Sequence, residues 1–448
     1  MKFKRRLNLS YAQLSAIGFL SIIVIGAILL SLPVSSNSGI GTPFIDAFFT
    51  ATSATCVTGL VVYDTYNHFS TFGQLVILTL IQIGGLGFMM VGTMFMLVLR
   101  KKIGIKERSL LKDSFSIHYI GGVVRLAQHI IIGTFLLEGI GALVLSIKFS
   151  FEMNLTSAIF NGIFHSVSAF CNAGFDLMGR YGEFTSLTRY VSDTVVNVVI
   201  MSLIVLGGIG YIVWEDVYNN KLNFKKYKLH SKIVLTTTFF LIVISAITFY
   251  FFEKQNLMTD FGFKENVLAS LFQAITPRTA GFNTIDTAFL SEGSKLLTII
   301  LMIIGGSPGS TAGGIKTTTF VVGVLTVLSS IRRSNDLDIF HRRLEDSILI
   351  RAFSLMTIYL LGAMLAILII SFVQPELKLG DIAFEVYSAI GTVGMSTGIT
   401  KKLNIASKII IILLMYCGRV GSLSVLLTVT KNKKNVLLKN PEEKIIIG

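Results

Sequence analysis

Apolar residues in this chain come in long runs separated by short polar stretches. Eight runs, at 11–32, 69–99, 126–150, 190–214, 232–252, 295–329, 352–373 and 405–430, reach the roughly 20 residues that cross a bilayer. The first run is too long for a cleavable signal, and no small-residue cleavage site follows it. Four shorter semi-apolar stretches lie between the runs, at 43–55, 157–169, 264–275 and 381–390. A helix of that size is about 15–20 Å long and cannot cross a hydrocarbon core of about 30 Å. Each is therefore expected as a re-entrant helix between two spans. Thr42-Pro43 offers the first a cap with proline at the first helical position, and Asp381 offers a cap to the fourth.

Each short stretch runs into a similar octet. These are Ser53-Ala54-Thr55-Cys56-Val57-Thr58-Gly59-Leu60, Ser168-Ala169-Phe170-Cys171-Asn172-Ala173-Gly174-Phe175, Ile275-Thr276-Pro277-Arg278-Thr279-Ala280-Gly281-Phe282 and Ser388-Ala389-Ile390-Gly391-Thr392-Val393-Gly394-Met395. The glycines Gly59, Gly174, Gly281 and Gly394 are 115, 107 and 113 residues apart. One such octet alone reads as an interhelical turn. Four at near-equal spacing read as an internal repeat, with units at about 9–100, 124–216, 230–331 and 350–430. The expected fold is all-α and membrane-integral: one domain over 1–448, built of four span–short helix–span units around a central pore.

That arrangement suits a bare monovalent cation. Irregular backbone survives at membrane depth only where protein buries it or it lines a wet cavity. Backbone carbonyls from four segments form an oxygen cage for a dehydrated ion, and glycine permits the required backbone. The expected filter is Val57, Thr58 and Gly59, then Asn172, Ala173 and Gly174, then Thr279, Ala280 and Gly281, then Thr392, Val393 and Gly394. No carboxylate cluster accompanies the octets, which argues against a divalent ion. Asp64, Asp176 and Asp286 follow three of the glycines. They read either as ordinary loop acids or as charges that concentrate cations at the outer mouth.

Each second span carries a glycine cluster. Gly84-Gly85-Leu86-Gly87, Gly207-Gly208-Ile209-Gly210 and Gly418-Arg419-Val420-Gly421 read mainly as close helix packing. In the third unit Gly305, Gly306, Ser307, Pro308, Gly309, Ser310, Thr311, Ala312, Gly313, Gly314, Ile315 and Lys316 cannot sustain a helix. A flexible loop beneath the filter is expected, and it is the candidate gate. The segment fails the P-loop pattern, because Ile315 separates Gly314 from Lys316. Arg419 falls at the aligned depth in the fourth unit, where a mid-membrane charge is costly. It either faces the pore and impedes cations or pairs with Glu138.

Composition narrows the class. Hydrophobic residues make up 52% and charged residues 14% of the chain, outside the range of soluble domains. The net charge of +14 does not signal nucleic acid. Of 39 Lys and Arg residues, 26 fall in the N-terminus, 100–125, 215–232, 331–351 and 431–448. This positive-inside bias puts both termini in the cytoplasm of a multi-pass plasma-membrane protein. Cys56, Cys171 and Cys417 lie in apolar segments without metal-like spacing and read as small buried hydrophobes. The few titratable residues in the spans are scattered, so no enzyme site is expected.

The octets, the interruption in the third unit and Arg419 together resemble the Trk/Ktr/HKT superfamily of K⁺ and Na⁺ transporters, most closely the KtrB-type membrane subunit of bacterial Ktr systems. The resemblance runs from the first span to Arg419. It implies K⁺ uptake, typically promoted by Na⁺, and a homodimer with one pore per protomer. It further implies a separate cytosolic ring of nucleotide-binding RCK subunits (KtrA-type) that responds to ATP and ADP. This chain itself needs no cofactor, and its surroundings are membrane lipid. Glycine in all four octets matches K⁺-selective members. A Na⁺-permeable uniporter of the same fold is the alternative.

Overall fold

The computed structural model describes residues 11–101, 103–114, 121–221, 223–333, 338–340, 342–421 and Glu443. The basic N-terminus, the 422–430 end of the last expected span and, apart from Glu443, the basic tail from Lys431 lie outside the described residues.

Four long apolar helices, Tyr11–Ser31, Val123–Phe149, Leu229–Glu253 and Asp346–Val373, are long enough to cross a membrane. Each is followed by a short helix: Phe44–Thr55, Leu155–Phe170, Phe263–Ile275 and Leu379–Gly391. At 12, 16, 13 and 13 residues, these run about 18–24 Å at 1.5 Å per residue. Each long helix packs against the short helix that follows it.

The helix starts differ from expectation in two places. Pro43 stands at the N-cap rather than inside the first turn, and the Thr42 hydroxyl instead bonds His68 at 2.9 Å. Lys378 is the N-cap of the fourth short helix, and Asp381 sits within its first turn. There the acid still faces the positive end of the helix dipole.

The second spans are where the structure departs most from uninterrupted helices. The expected run 69–99 is two helices, Thr71–Leu86 and Phe88–Val98, bent by 97°. The run 190–214 is Thr194–Gly208 and Tyr211–Asn220, bent by the same 97°. Gly87, Gly210 and Gly421 take φ of +84°, +91° and +96°, a left-handed backbone that ends a helix cheaply only at glycine. The third is Glu292–Ile303 and Thr317–Ile331, with 304–316 between. The glycine clusters thus break helices as well as pack them.

Unlike in a water-soluble domain, apolar side chains cover the outside as well as the core. Large apolar side chains at helical spacing face outward, including Leu136, Ile140 and Leu143 on one long helix and Leu361, Leu365, Leu368 and Phe372 on another. Small polar groups share the interior with an apolar core: Ser53, Thr58, Ser168, Thr276, Thr279, Ser388 and Thr392 are fully buried. An apolar exterior of this extent marks contact with lipid.

Candidate functional site

The four octets converge on one place. Each follows the C-terminal end of a short helix, and each repeats one backbone sequence. Val57, Asn172, Thr279 and Thr392 take φ of +56°, +60°, +67° and +51°. Two residues later Gly59, Gly174, Gly281 and Gly394 take +95°, +71°, +83° and +91°. Left-handed residues cost about 1–2 kcal/mol when they are not glycine. The same strain recurs at four aligned positions, and the backbone hand alternates along each segment.

The glycines meet in cyclic order. A Cβ on Gly59 would fall 2.5 Å from the Ala173 oxygen, and one on Gly174 would fall 2.7 Å from the Ala280 oxygen. A Cβ on Gly281 would fall 2.6 Å from the Val393 oxygen, and one on Gly394 would fall 2.2 Å from the Thr58 oxygen. The chain of neighbours runs first to second to third to fourth and back to first. All twelve expected filter residues lie in these four segments.

Hydroxyls that the sequence reading did not single out pin the segments. The Gly59 amide donates to Ser53 Oγ at 3.0 Å, and the Gly394 amide donates to Ser388 Oγ at 3.1 Å. Ser168 Oγ donates to the Phe175 carbonyl at 2.7 Å and Thr276 Oγ1 to the Phe282 carbonyl at 2.6 Å. The signal was present as a serine at the first position of three octets. Its role depends on the strand curling back over the helix end, which no spacing reveals.

The second spans come against the bases of these segments. A Cβ on Gly84 would fall 2.0 Å from the Thr55 oxygen, one on Gly207 would fall 2.0 Å from the Phe170 oxygen, and one on Gly418 would fall 2.2 Å from the Ile390 oxygen. Only glycine allows that approach.

The 304–316 loop is held at both faces rather than loose. Ser307 N and Thr311 N donate to the carbonyls of Gly208 and Gly207 at 2.9 and 3.3 Å, and Tyr211 N donates to the Gly309 carbonyl at 2.9 Å. Ser307 Oγ donates to Ile209 O, and Thr311 Oγ1 donates to Phe170 O at 3.2 Å. Its ends are tied by Gly305 N to Ile315 O at 2.8 Å and Thr317 N to Gly306 O at 3.0 Å. The Lys316 ammonium folds onto the loop's own Ala312 and Gly313 carbonyls at 2.6 and 3.3 Å. A Cβ on Gly313 would fall 2.1 Å from Thr392 Oγ1, so the loop touches the fourth octet.

Arg419 meets this loop. Its guanidinium donates to Thr311 O and to Gly84 O, and to Gly85 O at 3.1 Å. It forms no ion pair among the described residues; Glu138 instead accepts from Gln82 at 3.3 Å and lies 3.8 Å from Cys171 Sγ. The alternative of a Glu138 pair is not what the structure contains.

Asp64 and Asp286 cap the short helical turns that follow them, and Asp176 bonds within its own loop. Asp64 accepts from Tyr66 N and Asn67 N at 3.1 and 2.9 Å. Asp176 accepts from Met178 N, and Asp286 from Ala288 N, each at 2.9 Å. Burial, with the nearby Asp64 charge adding to it, pushes the Asp176 carboxyl up to about 7.

Comparison with known proteins follows this geometry. The family described as TrkH, cation transport protein, matches residues 10–437. The potassium/sodium uptake protein NtpJ of Enterococcus hirae is 40% identical, over 100% of this chain and 99% of its own. The Ktr system potassium uptake protein B of Bacillus subtilis is 41% identical, over 97% and 96%. The crystal structure of the potassium transporter TrkH from Vibrio parahaemolyticus superposes with a TM-score of 0.72 at 17% identity, covering 96% of this chain and 87% of that one. The chain belongs to the TrkH family of cation transport proteins, multi-pass membrane transporters rather than enzymes.

Proposed function

We propose that this chain takes up K⁺ through one pore on the axis of the four octets, as the ion-translocating subunit of a Ktr-type system. The observation that carries the reading is the closed ring of Gly59, Gly174, Gly281 and Gly394, each at positive φ and each against the next segment's carbonyl. Carbonyls of Val57, Thr58 and their counterparts then replace the ion's hydration shell. The short helices add their negative C-terminal ends. Four span–short helix–span units, at about 9–100, 124–216, 230–331 and 350–430, form the wall.

Arg419 and the loop from Gly305 to Lys316 form the gate below the ring. The guanidinium bridges the first unit's hinge to Thr311 of the loop. It therefore puts a fixed positive charge and a physical strut across the ion's path. Opening requires the loop to leave Gly207, Gly208 and Arg419 together. A cytosolic nucleotide-binding ring that responds to ATP and ADP raises the open fraction above that of the chain alone by moving Thr317–Ile331. The chain acts as a homodimer with cytoplasmic termini, and Na⁺ promotes uptake. The relatives named for Ktr potassium uptake support this reading.

A second reading is a Na⁺-permeable uniporter, favoured by the relative named a potassium/sodium uptake protein. Purified chain in proteoliposomes decides between them: Rb⁺ flux well above Na⁺ flux supports the K⁺ reading, and comparable fluxes support the second.

A further inference from the structure

A ring made from one chain has one seam that the chain does not close. Units one to four are joined in sequence, but no peptide segment links the fourth back to the first. Outside the ring, no salt bridge joins neighbouring units at the first three seams among the described residues, and hydrogen bonds stitch them instead. Phe184 N donates to Asp64 Oδ2 at 2.9 Å, and Asn67 Nδ2 donates to Gly179 O at 3.0 Å. Leu187 N donates to Asn283 O at 2.9 Å, and Thr287 Oγ1 donates to Ser396 O at 2.5 Å.

The open seam is different in kind. Lys408 Nζ of the fourth unit lies 2.5 Å from Asp46 Oδ1 of the first, with side chains only 12% and 9% exposed. The Tyr63 hydroxyl donates to the other Asp46 oxygen at 3.1 Å. Asp46 stands in the first turn of the helix that leads to the first octet, and Tyr63 stands four residues beyond Gly59. The Tyr63 ring stacks on His68 at 4.1 Å, and His68 bonds Thr42 at the start of the same helix. Lys408 therefore grips both ends of the first octet's scaffold through one carboxylate. The same seam holds the tightest of the ring contacts, Gly394 against the Thr58 oxygen.

We propose that Lys408, Asp46 and Tyr63 are positioning residues for ion selectivity. They form an ionic clasp that closes the seam between the fourth and first units and fixes the Thr58 carbonyl against Gly394. The inference rests on the reading of the octets as a filter. None of the three side chains touches the ion. The clasp works by holding the radius of the ring where covalent continuity does not. A shielded ion pair suits this task, because removing either partner strands a buried charge and opens that seam alone.

The test measures Rb⁺ and Na⁺ uptake in proteoliposomes, normalised to protein inserted, for wild type, Asp46→Asn, Lys408→Met, Lys408→Arg, Tyr63→Phe and the exchange pair Asp46→Lys with Lys408→Asp. Asp46→Asn and Lys408→Met should lower the Rb⁺/Na⁺ ratio roughly tenfold, a small part of what stranding a buried charge costs. Lys408→Arg should keep the ratio. The exchange pair should recover at least half of the loss on a logarithmic scale, the lysine at a helix N-terminus limiting it. Tyr63→Phe removes one hydroxyl and leaves the ion pair, so it stays interpretable if the charge variants fail to insert; it should lower the ratio roughly two- to threefold. A wild-type ratio in inserted Asp46→Asn or Lys408→Met, or in Tyr63→Phe, overturns the clasp, as does an exchange pair no better than those two charge variants. A wild type that does not discriminate Rb⁺ from Na⁺ instead overturns the filter reading beneath it.

Discussion

Gly59→Ser probes the ring where a side chain has least room. The new Cβ would fall 2.5 Å from the Ala173 oxygen and 3.1 Å from the Gly174 Cα. Ordinary contact starts at 3.4 Å, so the second segment's carbonyl must retreat by roughly 0.9 Å or rotate off the axis. The backbone at φ +95° costs serine a further 1–2 kcal/mol or so relative to glycine. Either response displaces one of the carbonyls proposed to replace the ion's hydration shell. A loss of about 1.4 kcal/mol in preference for K⁺ over Na⁺ would lower the flux ratio about tenfold. The assay is Rb⁺ and Na⁺ uptake into proteoliposomes at matched protein incorporation. An unchanged ratio in correctly inserted protein would remove Gly59 from the filter and refute the carbonyl-ring argument.

Other outcomes follow from the same geometry. Arg419→Ala, or deletion within Ser307–Gly313, should raise Rb⁺ flux several-fold and make it less dependent on the cytosolic ring; unchanged, fully regulated flux in both would end the gate assignment. Ser388→Ala removes the pin on the Gly394 amide and should lower selectivity with little change in expression, as judged by flux ratio and yield. Asp176 retains its proton to about pH 7 when folded, against 3.8 for the free group. The folded state thus binds more protons between these values, so this group's contribution to stability is present at low pH and is lost as pH rises through 7. Asp176→Asn should flatten that part of the pH profile of thermal unfolding in detergent. Charge reversal at Arg332, Arg333, Arg342 and Arg343 should weaken co-purification with the RCK ring at moderate salt; retained binding would show that this loop is not a main contact.

The convergence of the octets was legible because repetition separates a shared structure from a turn: four short helices each end in a glycine-bearing segment. The hinges at Gly87 and Gly210 were not, since a glycine that packs and a glycine that breaks a helix look alike in sequence. Gly84 and Gly87 do these two things within one cluster. The interruption from Gly305 to Lys316 was visible through Pro308 and its glycines, yet it reads as flexible only until the carbonyls of Gly207, Gly208 and Ile209 are found to hold it. Arg419 was conspicuous by its depth, but its carbonyl partners at Gly84 and Gly85 are more than 330 residues away. No local pattern encodes such a contact. Asp381 and Thr42 misled for a simpler reason: a good capping residue near a helix start need not be the cap.

The most direct test of the central claim uses the purified chain as the sole protein in liposomes carrying an outward K⁺ gradient. Uptake of tracer Rb⁺ should be saturable and should exceed Na⁺ uptake by at least about tenfold. Replacing any one of Gly59, Gly174, Gly281 or Gly394 should erode that ratio. Equal Rb⁺ and Na⁺ uptake in the wild type, or ratios indifferent to all four glycines, would contradict a K⁺ pathway lined by this ring.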